Sequence, residues 1–396
     1  MKKKLVMLVG DDLRHVQGVH VVIDNFIKSK SFFENINFTH VYGGSHTVDV
    51  EAGGRVPMGA DKGKSSYKFK RKVRMILREL LSSRFLPFAL LKYYFNTVKP
   101  AKRCLQRLEN SGVEPDFIIH HSLLSAYFYF KTHPHTKTKN AFIVHAEDDT
   151  MSQFFGVYPA FNGFLKKKFL AKRDFVYSKV DKVVYISKKA CKLSSLPPEK
   201  KTVIYNGIDD FPYNFNEEVK EKVNFVCVGS MSGRKGQELV IQALGIMPKE
   251  ELNKLHLYLV GDGGERVSLE KQVQNAKLEE YVTFMGVRMD VPEILKSQDV
   301  FIMPSISEGL SIASLEAIRA GLFLLMTDTG GNKEVMGEQG GCVVERRAED
   351  IKDKICSVLN NNIITIEQKR RSRNHFLDNF TSEKFISGYE KMFFSL

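Results

Sequence analysis

No run of about 18 uncharged apolar residues occurs anywhere in this 396-residue chain, so no membrane-spanning helix is read from it. Cysteine is scarce: Cys104, Cys191, Cys227, Cys342 and Cys356 are odd in number, widely scattered and without any Cys-x-x-Cys pair. That disfavours both a disulfide framework and a structural zinc site, and a reducing cytoplasm is the simplest setting. Repeats of solenoid length and low-complexity tracts are also missing. The N-terminal Met1-Lys2-Lys3-Lys4 runs directly into Leu5-Val6-Met7-Leu8-Val9 and Gly10, which reads as a first strand rather than a signal peptide.

Acidic residues are almost lacking from one segment. Between Lys62 and Arg103 thirteen Lys or Arg face the single acid Glu79, so this stretch carries a net +12 of the chain's +13. Apolar side chains such as Phe69, Leu80, Phe85, Leu91 and Phe95 are interleaved with the charge. The pattern suits an amphipathic surface that meets anionic lipid. It suits equally a solvated helical face whose apolar side joins the core. No motif for binding nucleic acid accompanies the charge, and nucleic acid is not an expected partner.

What remains is an ordinary folded composition, 43% hydrophobic and 27% charged, in a chain long enough for two cores. Short runs rich in Val, Ile and Phe recur, each followed by a segment of helical period, which predicts parallel sheets with crossover helices. The expected strands of the first half are 4–10, 38–43, 116–121, 141–145, 182–187 and 202–206. Those of the second half are 223–229, 255–261, 282–287, 300–305, 322–327 and 342–345. A polar stretch without period, Asp209 to Glu218, separates the halves. Ligands bind at the carboxyl ends of strands in such sheets, so a site is sought there.

The most informative stretch runs from Phe301 to Gly321. A buried strand ends near Pro304, a loop carries Glu308 and Gly309, and a helix is predicted from about Ser311 to Gly321. The start of that helix, with its unpaired amides and partial positive charge, is a seat for a diphosphate. Glu316 lies about one and a half turns in, within reach of a ribose. On these residues alone, two acids on a strand-loop-helix unit also fit an ordinary surface face.

The spacing Glu308-x7-Glu316 resembles the motif of the retaining GT-B glycosyltransferases of family four, the glycosyl transferases group 1. Further elements in family order resemble it over about 203–345: Val203 to Asp209, Val260-Gly261-Asp262-Gly263, Thr283-Phe284-Met285-Gly286 and Asp328 to Glu334. Gly229-Ser230 followed by Arg234-Lys235-Gly236 resembles the family's "GRL...KG", with Lys235 on the phosphate-binding lysine and Ser230 where the family has arginine. In the first half Gly18, His145 and Ser187 occupy the positions of a glycine loop, a site histidine and a serine, although Gly18-Val19 replaces the family's usual pair of glycines.

The resemblance implies an α/β chain of GT-B type, two Rossmann-like doubly wound domains facing across a cleft. It places an acceptor domain at 1–209, a linker at 210–222, a donor domain at 223–379, and a terminal helix of about 380–396 returning to the first domain. The implied reaction is retaining transfer of a hexose-type sugar from a UDP- or GDP-sugar to a lipid-linked or oligosaccharide acceptor, as in surface polysaccharide assembly, at the inner leaflet of the cell membrane. Catalysis would fall to Glu308 and His145. The donor would be held by Arg234, Lys235, Glu316, Gly309, Leu310, Ser311, Ile312, Gly229 and Val287, with Gly18, His121 and Asn206 on the acceptor side. No cofactor or metal is expected: no Asp-x-Asp pair exists to hold one, which leaves fixed cations and dipoles to stabilise the leaving diphosphate. The histidines His120, His121, His133, His135 and His145 match no metal-ligand spacing. Two rivals stand beside this reading. A nicotinamide oxidoreductase shares Rossmann units, but the first loop lacks Gly-x-Gly-x-x-Gly. A non-catalytic scaffold on the same fold is the other, and Ser230 is what favours it.

Overall fold

A computed structural model describes residues 2–10, 17–53, 85–147, 150–213 and 222–396. The chain divides into two compact units, Met1–Ile186 with Cys191–Ile204 and Ile386–Leu396, and Ser187–Ala190 with Tyr205–Phe385. Each is an α/β unit built on one sheet.

The first sheet contains β1 (Lys3–Leu8), β2 (Ile36–Tyr42), β3 (Thr47–Asp49), β4 (Phe117–His120), β5 (Lys139–Val144), β6 (Lys182–Tyr185) and β7 (Lys201–Val203). Its order is β3-β2-β1-β4-β5-β6-β7, parallel except for β3. The apolar runs explain the arrangement: Ala141, Phe142 and Val144 of β5 are wholly buried, as central parallel strands covered by helices on both faces must be. The antiparallel β3 was not expected. Its three residues alternate exposed, buried, exposed, too short to carry a period, and they close the sheet as a brief charged edge.

The second sheet contains β8 (Val223–Val228), β9 (Leu255–Val260), β10 (Val282–Gly286), β11 (Val300–Met303), β12 (Phe323–Met326) and β13 (Gly341–Val343), in the order β10-β9-β8-β11-β12-β13. All its pairings are parallel. Phe225, Leu257, Leu259, Val300, Ile302 and Leu325 form its core with Val240, Ile241 and Leu244 of the helix Gln237–Gly245 and Ile351 and Ile355 of the helix Ala348–Asn360. The direction of winding reverses between β8 and β11, which makes the carboxyl ends of these two strands the switch point where a ligand crevice forms.

The passage into the second unit comes at Tyr205, ahead of the expected boundary at 209. The reason is local: Tyr205 donates to Glu334 at 2.8 Å, Ile208 bridges to Thr381, and Ser382 donates to Asp209. Part of the expected linker is tied down as well, since the Arg373 guanidinium holds the Asp210 carboxylate at 2.9 Å and Arg319 lies 3.8 Å over the Phe211 ring. Residues 214–221 lie outside the described residues. The last helix, Ser382–Phe394, delivers Tyr389 and Phe393 to the first unit, where they meet Phe26 at 4.9 Å and Phe117 at 4.5 Å. No helix among the described residues is long and apolar enough to cross a membrane.

Candidate functional site

At the end of β8 the chain turns at Gly229, and at the end of β9 it turns at Gly261, whose φ of +129° and whose hypothetical Cβ, overlapping the Gly229 carbonyl, both require glycine. The turn after Gly229 is pinned by the Met231 amide donating to Asp262 O at 3.0 Å. It then presents Arg234 and Lys235 before the helix Gln237–Gly245 begins.

Both cations converge on one carboxylate oxygen. Lys235 Nζ donates to Glu308 Oε1 at 2.7 Å and Arg234 donates to the same oxygen at 2.9 Å, while a second Arg234 bond reaches Ser307 O at 2.6 Å. Lys235 and Glu308 are only 8% and 7% exposed, so the pairing offsets the cost of burying charge. Ser230, at the family's arginine position, contributes its carbonyl to Gln237.

The loop carrying Glu308 is fixed from several sides. Ile306 N donates to Arg234 O at 2.8 Å, Glu308 N to Thr329 Oγ1 at 3.0 Å, and Gly331 N to Gly309 O at 2.7 Å. Gly330, at φ +52°, lies so close to the Glu308 carbonyl that a Cβ there would overlap it. After the buried Leu310 and Ser311, the helix Ile312–Arg319 begins as expected, and Gly321 at φ +79° follows its end. Ser311 is its N-cap in extended conformation, but its hydroxyl turns to Met303 Sδ instead of capping. The amides of Ile312 and Ala313 therefore have no protein acceptor among the described residues, which leaves an anion seat that begins four residues after Glu308.

Glu316, in that helix, is partly buried; burial raises its carboxyl pKa, and the charge of Arg319 opposes the rise. Its carboxylate makes no hydrogen bond among the described residues, so hydroxyl donors from a ligand would be well received. Val287 follows the Gly286 turn and is 71% exposed. Asn206, expected on the acceptor side, belongs to the second unit and reaches Leu310 O at 3.5 Å, next to the Glu308 loop.

In the first unit, adjacency of β4 and β5 brings two of the predicted histidines together. His121 Nδ1 and His145 Nε2 are 2.9 Å apart with their rings stacked at 5.1 Å. Burial lowers the His145 pKa to about 4, and burial with the neighbouring imidazoles lowers that of His121 well below its usual value. Both are neutral at pH 7, and one ring nitrogen donates to the other. The adjacent His120 is wholly buried and bonded to Asn140 Oδ1 at 2.8 Å, so it packs the sheet. Gly18 is a correction, since it falls within the helix Gln17–Lys28 and not in the loop expected before it. Among the described residues no group of three His, Cys, Asp or Glu is placed to hold a metal ion.

Sequence reasoning missed Thr329 and Gly330, which hold the Glu308 loop, and the task of Glu334. The Glu334 carboxylate accepts the amides of Lys188 and Lys189 at 2.8 and 2.9 Å along with the Tyr205 hydroxyl. The resemblance of Asp328 to Glu334 was the available signal, but it carried no assigned role.

Residues 211–376 match the family described as glycosyl transferases group 1. The O-antigen biosynthesis glycosyltransferase WclY of Escherichia coli is 34% identical over 54% of this chain and 62% of its own length. The UDP-Gal:alpha-D-GlcNAc-diphosphoundecaprenol alpha-1,3-galactosyltransferase of Escherichia coli is 28% identical over 50% of this chain and 55% of its own. The chain thus spans about 60% of the length of such curated relatives. Among solved structures, HepE of Anabaena in complex with UDP has a TM-score of 0.69 at 15% identity, with both chains fully covered. That likeness establishes the GT-B fold.

Proposed function

We propose, starting from a chain whose residues 211–376 match the glycosyl transferases group 1, that it moves a hexose-type sugar from a UDP- or GDP-sugar to a lipid-linked saccharide in the assembly of a surface polysaccharide. The observation that carries this reading is the convergence of Lys235 and Arg234 on Glu308 beside the open amides of Ile312 and Ala313, at the switch point of the second sheet.

A nucleoside diphosphate seated there draws the two cations from Glu308 onto its phosphate oxygens, and the Ile312 and Ala313 amides donate to it as well. Glu316 accepts the ribose hydroxyls. As the bond from the anomeric carbon to the diphosphate oxygen breaks, its electron pair leaves with the diphosphate, whose charge these donors neutralise without a metal. The acceptor hydroxyl forms the new bond to that carbon, and its proton passes to the departing phosphate. Glu308, released from its cations, stabilises positive charge developing on the sugar. Retention of configuration, and the contact of neutral His145 with the transferred sugar, rest on the family resemblance. The lipid-linked acceptor is supported by the name of the galactosyltransferase relative, and an enzyme using such an acceptor would work at the inner leaflet of the membrane.

A panel of nucleotides tests the reading. UDP or GDP raises the Tm and NAD(P) does not, and transfer proceeds with a chelator present. Stabilisation by NAD(P) alone, or transfer abolished by chelator and rescued by manganese, refutes it.

A further inference from the structure

The helix Leu86–Tyr93 is apolar on almost every side, yet only Ala89 and Tyr93, four residues apart, are buried. Tyr93 fills an aromatic cluster, with Phe154, Tyr158, Phe161 and Phe169 at 5.1 to 5.9 Å. The rest of this helix and the π-helical turn Tyr94–Val98 that extends it face outward: Phe85 is 63% exposed, Leu91 55% and Phe95 52%. A patch of this kind on a folded protein marks a surface that meets something apolar.

A second element joins it through the same cluster. The helix Gly163–Lys179 contributes Phe169 to the aromatic core, and its first turns expose Phe164 (69%) together with Lys166, Lys167 and Lys168. The ammonium groups lie over individual rings: Lys168 over Phe164 at 4.6 Å, Lys166 over Phe155 at 5.3 Å, and Lys99 over Phe95 at 5.3 Å. Residues 85–103 and 163–173 together hold nine Lys or Arg and no acid.

We infer that these two helices form one docking surface for an anionic lipid bilayer, with the exposed rings and Leu91 entering the headgroup boundary and the lysines lying at the level of the phosphates. A bilayer fits better than a folded partner because cations alternate with single rings instead of rimming an apolar centre. Each basic residue near such a surface adds attraction that salt screens. The inference deepens the proposed membrane-side function by naming the surface, and it does not depend on residues 62–84, which lie outside the described residues.

Sedimentation with vesicles tests it, using the full chain. The parent protein is expected to bind phosphatidylcholine vesicles containing about 30% phosphatidylglycerol at low salt, and pure phosphatidylcholine vesicles far more weakly. The variant Leu91→Gln/Phe95→Ser/Phe164→Ser, and separately Lys166→Gln/Lys167→Gln/Lys168→Gln, lower that binding about tenfold or more. The Tm rise with UDP, measured on each variant, shows that the fold and the donor site are retained. Absent binding by the parent, or variants that bind as well as the parent, overturns the inference. So does light scattering that shows a parental dimer reduced to monomer by the apolar variant, because a second copy then covers the face. Vesicle binding in a protein that UDP does not stabilise upholds the surface and refutes the donor reading alone.

Discussion

Changing Glu308 and Lys235 should move nucleotide affinity in opposite directions. In the free protein Lys235 Nζ and Glu308 Oε1 are 2.7 Å apart, a gross attraction of about 6 kcal/mol at an effective dielectric of about 20. Most of it repays desolvation, because both groups are over nine-tenths buried. A diphosphate must compete with this carboxylate for the ammonium. Glu308→Gln keeps the shape and removes the competing charge, so UDP is expected to bind more tightly by about 1 to 2 kcal/mol, or about fivefold to thirtyfold. Lys235→Ala removes a charge-assisted bond to phosphate worth about 1.5 to 3 kcal/mol, so UDP binds about tenfold to 150-fold more weakly. Arg234, 2.9 Å from the same oxygen, keeps Glu308 from being stranded in the lysine variant, which therefore folds. Sugar transfer falls in both. Titration calorimetry with UDP and GDP at two salt concentrations reads the affinities, and the difference between the variants shrinks as salt rises. If Glu308→Gln weakens nucleotide binding, or Lys235→Ala leaves it unchanged, the carboxylate and the diphosphate do not share these cations and the reasoning fails.

Gly330→Ala places a methyl group on the Glu308 carbonyl at a φ of +52°, and should lower stability by about 2 kcal/mol or more and UDP affinity at least about tenfold; parental melting and binding would show that the loop is not held there. Glu316→Ala should erase the preference for UDP over its 2′,3′-dideoxy analogue, so equal discrimination by parent and variant removes the ribose assignment. Burial holds the His120 and His145 pKa values at about 4, below the usual 6.5. Between these values the unfolded chain binds protons that the folded one does not, so stability is full above about pH 6.5 and declines as pH falls toward 4, by up to about 3 kcal/mol per histidine. Urea melts from pH 8 to 5 should show the decline, with a shallower slope in His145→Gln; stability that rises on acidification contradicts the buried neutral pair.

All twelve expected parallel strands are present: the central ones are runs of Val, Ile, Leu or Phe buried on both faces that need no distant information to be recognised, whereas the short outer strands β7 and β13 are only half-buried. The edge strand β3 was invisible for the opposite reason: only Val48 of its three residues is buried. The helix start beyond Ser311 and its end at Gly321 were legible from local chemistry. The convergence of Arg234 and Lys235 on Glu308 was not. It depends on β8 lying beside β11, more than 70 residues away, and no spacing in the sequence records that pairing. The histidines teach the same lesson. Adjacent positions His120 and His121 read alike in the sequence, yet His120 turns into the sheet onto Asn140 while His121 meets His145 across β4 and β5.

The helix that delivers Tyr389 and Phe393 also brings Glu390, whose carboxylate receives the amides of Glu34 and Asn35. The first unit is therefore sealed by residues that the ribosome makes only after the entire second unit. The second unit draws almost wholly on one continuous stretch, Tyr205–Phe385, and can close during synthesis, whereas the unit begun first must wait with Phe26 and Phe117 uncovered until the last turn of helix emerges.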